Sequence, residues 1–237
     1  MKIAIFGDSY AASTGPTSWG SLLATMNNCE VKNFAKRGTS LFYSYLRFIE
    51  NYINFDVIVF LVTAPGRLYH DEQSIPNLFS AEYRLKNGPH SPEVEALIKA
   101  SMQYYLHLQH FEFDKFVHLS IIEKIVNLSK ENNKKLIMLP ALGESKNMEI
   151  MPYSGGGFFL DRINIEERKH FGVSHEGMHF EKARLQNHIS DTNNLIFAKL
   201  ISRIINGEEL KVYAEDFNYY PDEDPNIYYD MERMKEL

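Results

Sequence analysis

Short apolar runs alternate with stretches of helical spacing along most of the chain. Ile3–Phe6 is an unbroken apolar run closed by Gly7 and Asp8, the pattern of a buried parallel strand that ends in a turn. After a loop at 12–18, Trp19–Met26 reads as a short helix, and Val31–Phe34 as a short strand ending near Lys36-Arg37-Gly38. Leu41, Tyr45, Phe48, Ile49 and Tyr52 recur at helical intervals within Leu41–Ile53. Val57–Thr63 is another continuous apolar run, closed by Ala64-Pro65-Gly66. This β-α-β-α-β order predicts a parallel sheet with helices on both faces.

The pattern weakens after the third strand. Residues 67–91 hold no clear period, and Pro76, Gly88 and Pro89 mark them as loop. A long helical stretch follows from Pro92 to about Asn132, with Ser91 suited to its cap, Pro92 to its first position, and Glu93 and Glu95 to its positive end. A break near Phe113–Asp114 divides it into two helices. Tyr104, Tyr105, Phe111, Phe113 and Phe116 are expected in core and packing surface rather than as a base-stacking platform. Leu136–Leu139 is the fourth strand, stopped by Pro140. Residues 143–187 are irregular; Gly155-Gly156-Gly157 lacks the Gly-Lys-Ser/Thr of a phosphate loop. Ser190 then caps a helix from Asp191 to about Ile205 that ends before Gly207. The predicted organisation is one domain over residues 1–206, a three-layer α/β/α fold with a mainly parallel, flavodoxin-like sheet and a helical insertion at about 92–132. An acidic, tyrosine-rich extension follows at 207–237.

Composition narrows the classes. With 237 residues, 44% hydrophobic and 24% charged, the chain matches an ordinary globular protein whose core needs no disulfide or metal. The lone Cys29 forbids an intramolecular disulfide. A net charge of −6 argues against a nucleic-acid partner, because phosphate-backbone binders concentrate Lys and Arg. The first apolar run is far shorter than a signal peptide's, and no segment approaches the roughly 18 apolar residues of a transmembrane helix. A cytoplasmic location without a membrane partner is therefore expected, with the C-terminal extension as the candidate surface for a homo-oligomer.

Candidate chemistry collects where strands end. Ser9 follows the first strand, Asn33-x4-Gly38-Thr39-Ser40 the second, and Thr63-Ala64-Pro65-Gly66-Arg67 the third. Asn187-His188-Ile189-Ser190 directly precedes the last helix. In a doubly wound sheet such ends can face one crevice. A serine hydroxyl is a poor nucleophile until a positioned imidazole takes its proton. Charge developing on the attacked carbonyl needs preorganised donors, each worth on the order of 2.7–4 kcal/mol.

This order resembles the SGNH, or GDSL-type, hydrolases, through Gly7-Asp8-Ser9, Val31-x-Asn33-x4-Gly38-x-Ser40, and His188 ahead of the C-terminal helix. The resemblance implies an SGNH-hydrolase-like fold with no cofactor, Ser9 as nucleophile and His188 as general base. The N–H groups of Ser9 and Gly38 would be the oxyanion donors, and the substrate an ester carrying a small acyl group on a carbohydrate or similar polar compound. Two positions depart from the pattern. Pro65 falls near the place of an asparagine donor, leaving the Thr63 hydroxyl or Arg67 to compensate; Arg67 would also suit an anionic substrate group. Leu185 stands where an aspartate usually orients the histidine, so Glu181, Asp161 or Asp191 substitutes, with Asp8 a further nearby acid, or a Ser–His dyad operates. A catalytically silent binding or assembly protein is the alternative these departures leave open. His175-Glu176-Gly177-Met178-His179 also matches the zincin His-Glu-x-x-His. It makes a poor zincin helix, because Gly177 costs about 1 kcal/mol in a helix interior, and no metal is expected.

Overall fold

The computed structural model describes residues 1–12, 14–70, 75, 77–141 and 191–208. The elements run β1 (Lys2–Phe6), α1 (Trp19–Asn27), β2 (Glu30–Asn33), α2 (Leu41–Asn51), β3 (Val57–Val62), α3 (Leu78–Asn87), α4 (Pro92–Gln103), α5 (Phe111–Glu131), β4 (Lys135–Pro140) and α6 (Asp191–Ile205). A 3-10 turn, Tyr52–Asn54, follows α2, and a π-helical turn, Tyr104–Leu108, follows α4.

The sheet has four strands in the order β2-β1-β3-β4, all parallel. β3 is buried at every position, which explains its continuous apolar sequence: a parallel strand covered on both faces has no polar side. Side chains alternate across the sheet. Ile3, Ile5, Val59, Leu61, Ile137 and Leu139 pack with Trp19 and Leu23 of α1 and with Phe197 and Ile201 of α6. Phe6, Ile58, Phe60, Val62 and Met138 pack on the other face with Phe48 of α2 and Ile121, Ile122 and Ile125 of α5. The expected three-layer α/β/α fold is the one observed. Burying each such aliphatic or phenyl side chain contributes about 1.5–3 kcal/mol. Lys135 of β4 also fastens the far end of α6 by donating to the carbonyls of Ile204 and Ile205 at 2.5 and 3.0 Å.

Four expectations need correction. Residues 67–91 are not all loop, since α3 occupies Leu78–Asn87, with Asn77 Oδ1 accepting from Ser80 N at 2.9 Å as its cap. Its short apolar face is buried only in a small cluster with α4, around Ala81, Ile98 and Ile75, so its periodicity is faint. The helical break falls at Gln109–His110 rather than near Phe113–Asp114, with the His110 ring accepting from Phe113 N as the cap of α5. Phe111, Phe113 and Phe116 are more than 60% exposed instead of packed. The inward positions of the first turns of α5 are taken by polar Asp114 and His118, which turns the phenylalanines outward. β2 lies one residue earlier than read, at Glu30–Asn33. Of the stretch 92–132, α5 packs directly on the sheet as the crossover helix into β4, whereas α4 pairs with α3.

Candidate active site

The chain leaves β1, crosses to β2 on one side, then returns past β1 to β3 on the other. The direction of winding therefore reverses between β1 and β3, and open α/β sheets bind ligands at the carboxyl ends of such strands. Both ends carry sequence-predicted residues: Gly7-Asp8-Ser9 after β1 and Thr63 to Arg67 after β3.

Gly7 makes the first loop possible. Its φ is +151°, and a Cβ there would lie 2.9 Å from Leu61 Cβ and 3.1 Å from Leu61 O. Its carbonyl accepts from Ser44 Oγ at 3.2 Å and from Lys36 N at 3.3 Å, tying the loop to α2 and to the segment after β2. Asp8 O then accepts from Ala11 N and Ala12 N at 3.1 and 3.0 Å. Ser9 sits in that single turn, partly exposed, between buried Asp8 and buried Tyr10. Asn33 adds a second tie, donating to Ala11 O while accepting from Ala35 N at 2.9 Å.

Asp8 is the hub. Its carboxylate is fully buried. One oxygen accepts from Tyr10 N at 3.2 Å; the other accepts from Thr63 Oγ1 at 2.8 Å and from Arg67 Nη1 at 3.2 Å. The same Arg67 nitrogen donates to Thr39 O at 3.3 Å. A threonine hydroxyl has one proton, and that of Thr63 is directed at Asp8, so its side chain is a support of Asp8 rather than an oxyanion donor. Arg67 likewise is not the free cation that would attract an anionic group: its side chain is only 14% exposed and its charge faces Asp8. Gly38, at φ +69°, occupies a left-handed backbone position that favours glycine, next to buried Thr39 and Ser40.

The helical segment braces this loop from behind. Pro65 followed by Gly66 at φ +75° is the signature of a type II turn, and a Cβ on Gly66 would meet Gln109 Nε2 at 2.4 Å and Asp114 Oδ2 at 2.7 Å. Leu68 N donates to Tyr105 Oη at 3.2 Å, and that hydroxyl donates to Ile75 O at 2.7 Å. Burial pushes the Tyr105 phenol up to about 12, so it remains protonated and able to donate. Cys29, the lone cysteine, precedes β2 at the opposite end of the sheet from this rim, and burial raises its thiol pKa.

Ser9, Asp8, Thr63, Arg67 and the Gly38-Thr39 step are thus brought to one rim. His188, Glu181, Asp161, Ser190 and the His175-Glu176-x-x-His179 motif lie outside the described residues, as does the extension beyond 208. Asp191 opens α6. Sequence reasoning missed Tyr105 as a brace, and it missed that Asp8 and Arg67 answer each other. An acid after one apolar run and a base after another is the signal that could have suggested the pair. Among the described residues no three His, Cys, Asp or Glu side chains are grouped to hold a metal, and no helix is long and apolar enough to cross a membrane.

Fold and rim define a doubly wound parallel α/β protein with a serine loop at its switch point. Its structural neighbours are GDSL-type lipolytic proteins and esterases. The chain is similar to a protein of the G-D-S-L lipolytic family from Desulfitobacterium hafniense, at 13% identity and TM-score 0.44 over 86% of this chain and 98% of that one. It is similar to the acetyl xylan esterase AlAXEase at 15% identity and TM-score 0.33, over 88% and 100%. A lipase/acylhydrolase from Enterococcus faecalis gives 15% identity and TM-score 0.35, over 87% and 95%. No family model and no curated protein matches the sequence.

Proposed function

We propose that the chain is a serine-dependent ester hydrolase. Ser9 Oγ attacks the ester carbonyl while His188 takes its proton, and the N–H groups of Ser9 and Gly38 hold the oxyanion of the tetrahedral intermediate. The intermediate collapses by expelling the alcohol, which His188 protonates, leaving an acyl group on Ser9. A water deprotonated by His188 then releases the acid and restores the serine. Glu181, Asp161 or Asp191 orients the imidazole, or the pair acts as a dyad. The substrate class is a small acyl group on a carbohydrate or similar polar compound.

One observation carries the pairing. Asn194 of α6 accepts from Trp19 N at 3.0 Å, and the Trp19 indole donates to Tyr10 O at 3.0 Å, beside Ser9. Trp19 also stacks edge-on against Phe197 with ring centroids 4.9 Å apart. The first turns of α6 are therefore anchored to the serine loop, and the three residues from His188 to Asp191 span at most about 10 Å. That anchoring supports the reading in which His188 serves Ser9.

A fluorophosphonate probe and p-nitrophenyl acetate test the reading on wild type, Ser9→Ala and His188→Ala. Stoichiometric labelling lost in Ser9→Ala is expected, with kcat down by several orders of magnitude in either variant. Labelling that survives Ser9→Ala removes Ser9 as nucleophile. A folded wild type that neither labels nor turns over favours the silent binding or assembly protein, the reading encouraged by the absence of an asparagine at Pro65.

A further inference from the structure

We infer that Arg67 is a positioning residue that sets the separation of the two oxyanion donors. This rests on the hydrolase reading above. The donors sit on different loops: Ser9 N–H follows β1, and Gly38 N–H lies beyond β2. A single guanidinium nitrogen, Arg67 Nη1, touches the residue before one and the residue after the other, Asp8 Oδ2 at 3.2 Å and Thr39 O at 3.3 Å. Neither contact is a loose surface pairing. Asp8 is fully buried and held independently by Tyr10 N and Thr63 Oγ1, so the arginine grips a fixed point.

Arg67 is itself fixed from three directions. The Pro65-Gly66 turn delivers it back toward Asp8, Gly66 is wedged against Gln109 and Asp114, and Leu68 N is held by Tyr105 Oη. The helical segment after β3 thereby acts on the rim through one side chain. The physical consequence is specific. Oxyanion donors work when they lie about 2.7–3.1 Å from the oxygen's position in the intermediate, and their value rests on being preorganised there. A donor that drifts weakens transition-state binding far more than it weakens binding of the neutral ester, so the loss falls on kcat rather than KM.

Arg67→Lys and Arg67→Ala test this in the full chain, with p-nitrophenyl acetate and the fluorophosphonate probe. Lysine keeps a cation with donors enough for both acceptors, but its stem is one bond shorter, so Nζ falls short of the point that Nη1 occupies between Asp8 and Thr39. Arg67→Lys is expected to keep its melting temperature within a few degrees, to lose at least tenfold in kcat with KM within twofold, and to label Ser9 more slowly by a similar factor. Millimolar guanidinium is expected to restore kcat in Arg67→Ala, which a merely structural role would not allow. An unchanged kcat in Arg67→Lys, on a serine that still labels, overturns the inference and leaves the hydrolase reading intact. So does a raised KM with kcat unchanged, which would make Arg67 a substrate-binding residue. A wild type whose Ser9 does not label overturns the hydrolase reading, and this inference with it.

Discussion

His118 makes the stability of this protein depend on pH in a calculable way. It lies on the buried face of α5, 3% exposed, one turn after Asp114 and one turn before Ile121 and Ile122, and its Nε2 has no hydrogen-bond partner among the described residues. Burial lowers its pKa from 6.5 to about 4, because charging the ring there would strip an imidazolium of water. The unfolded chain takes up this proton near 6.5 and the folded chain only near 4, so between those values the unfolded state binds more protons. Stability must then fall as pH drops through that window and level off below it. At about 1.4 kcal/mol for each tenfold in proton affinity, the full loss is roughly 3 kcal/mol, most of it present by pH 4.5. His118→Leu removes both the titration and the orphaned nitrogen. Replacing an unsatisfied polar group with an apolar one of similar size is neutral or stabilising, by up to about 1 kcal/mol at neutral pH. Urea unfolding of wild type and variant at several pH values between 7.5 and 4.5 isolates the effect, because every other group titrates in both chains. The gap between the two curves should widen by roughly 2–3 kcal/mol in favour of the variant toward acid. Parallel curves would refute the reasoning and mean that the ring has a partner able to carry its proton.

Two further outcomes follow from the loops around the site. Gly7→Ala places a Cβ 2.9 Å from Leu61 Cβ at φ +151°, and should lower unfolding free energy by about 3 kcal/mol through strain and overpacking; an unchanged urea midpoint contradicts it. Tyr105→Phe leaves Leu68 N–H and Ile75 O without their shared hydroxyl, and should cost about 1–3 kcal/mol in urea unfolding with a several-fold drop in kcat, since it loosens the residue next to Arg67.

The fold was legible where burial is two-sided. β1, β3 and β4 read as apolar runs because helices cover both faces of a parallel sheet, and α6 was legible from Leu195, Ile196, Leu200, Ile201 and Ile204. α3 was lost because, among its described residues, Ala81 alone lies in the buried centre of a small cluster, too little for a visible stripe. The phenylalanines of α5 misled for the opposite reason. Their number suggests core, yet Asp114 and His118 hold the inward positions, and hydrophobicity alone does not say which face a helix turns to a polar loop. The place of Ser9, Gly38 and Thr63 at the rim was legible because strand ends are marked by glycines and small hydroxyls, although Thr63 there supports Asp8. The Asp8–Arg67 pair was not, because it exists only when β3 lies beside β1, and strand order is a property of the whole sheet rather than of either segment.

The departure at Pro65 and the placement of Arg67 have one origin. A proline followed by a glycine at positive φ reverses the chain within two residues, and that reversal aims Arg67 back across the switch point at Asp8. An asparagine at Pro65 would give up the preset φ of the proline, and with it part of the bias for the turn that supplies the clamp. The loop after β3 can therefore be optimised for a donor amide or for a sharp turn bearing an arginine, and the two demands compete for the same residues. Here the turn is reinforced by Gln109, Asp114 and Tyr105, three side chains from the helical segment that follows. A loop braced that heavily is costly to reposition, so in the proposed hydrolase the oxyanion charge would fall on backbone N–H groups whose separation Arg67 sets. On this argument Pro65→Asn alone should not raise kcat, since any donor it adds comes with a loosened Arg67. A several-fold gain in kcat from that single change would show that turn and donor are compatible, and that Arg67 is not held by the turn.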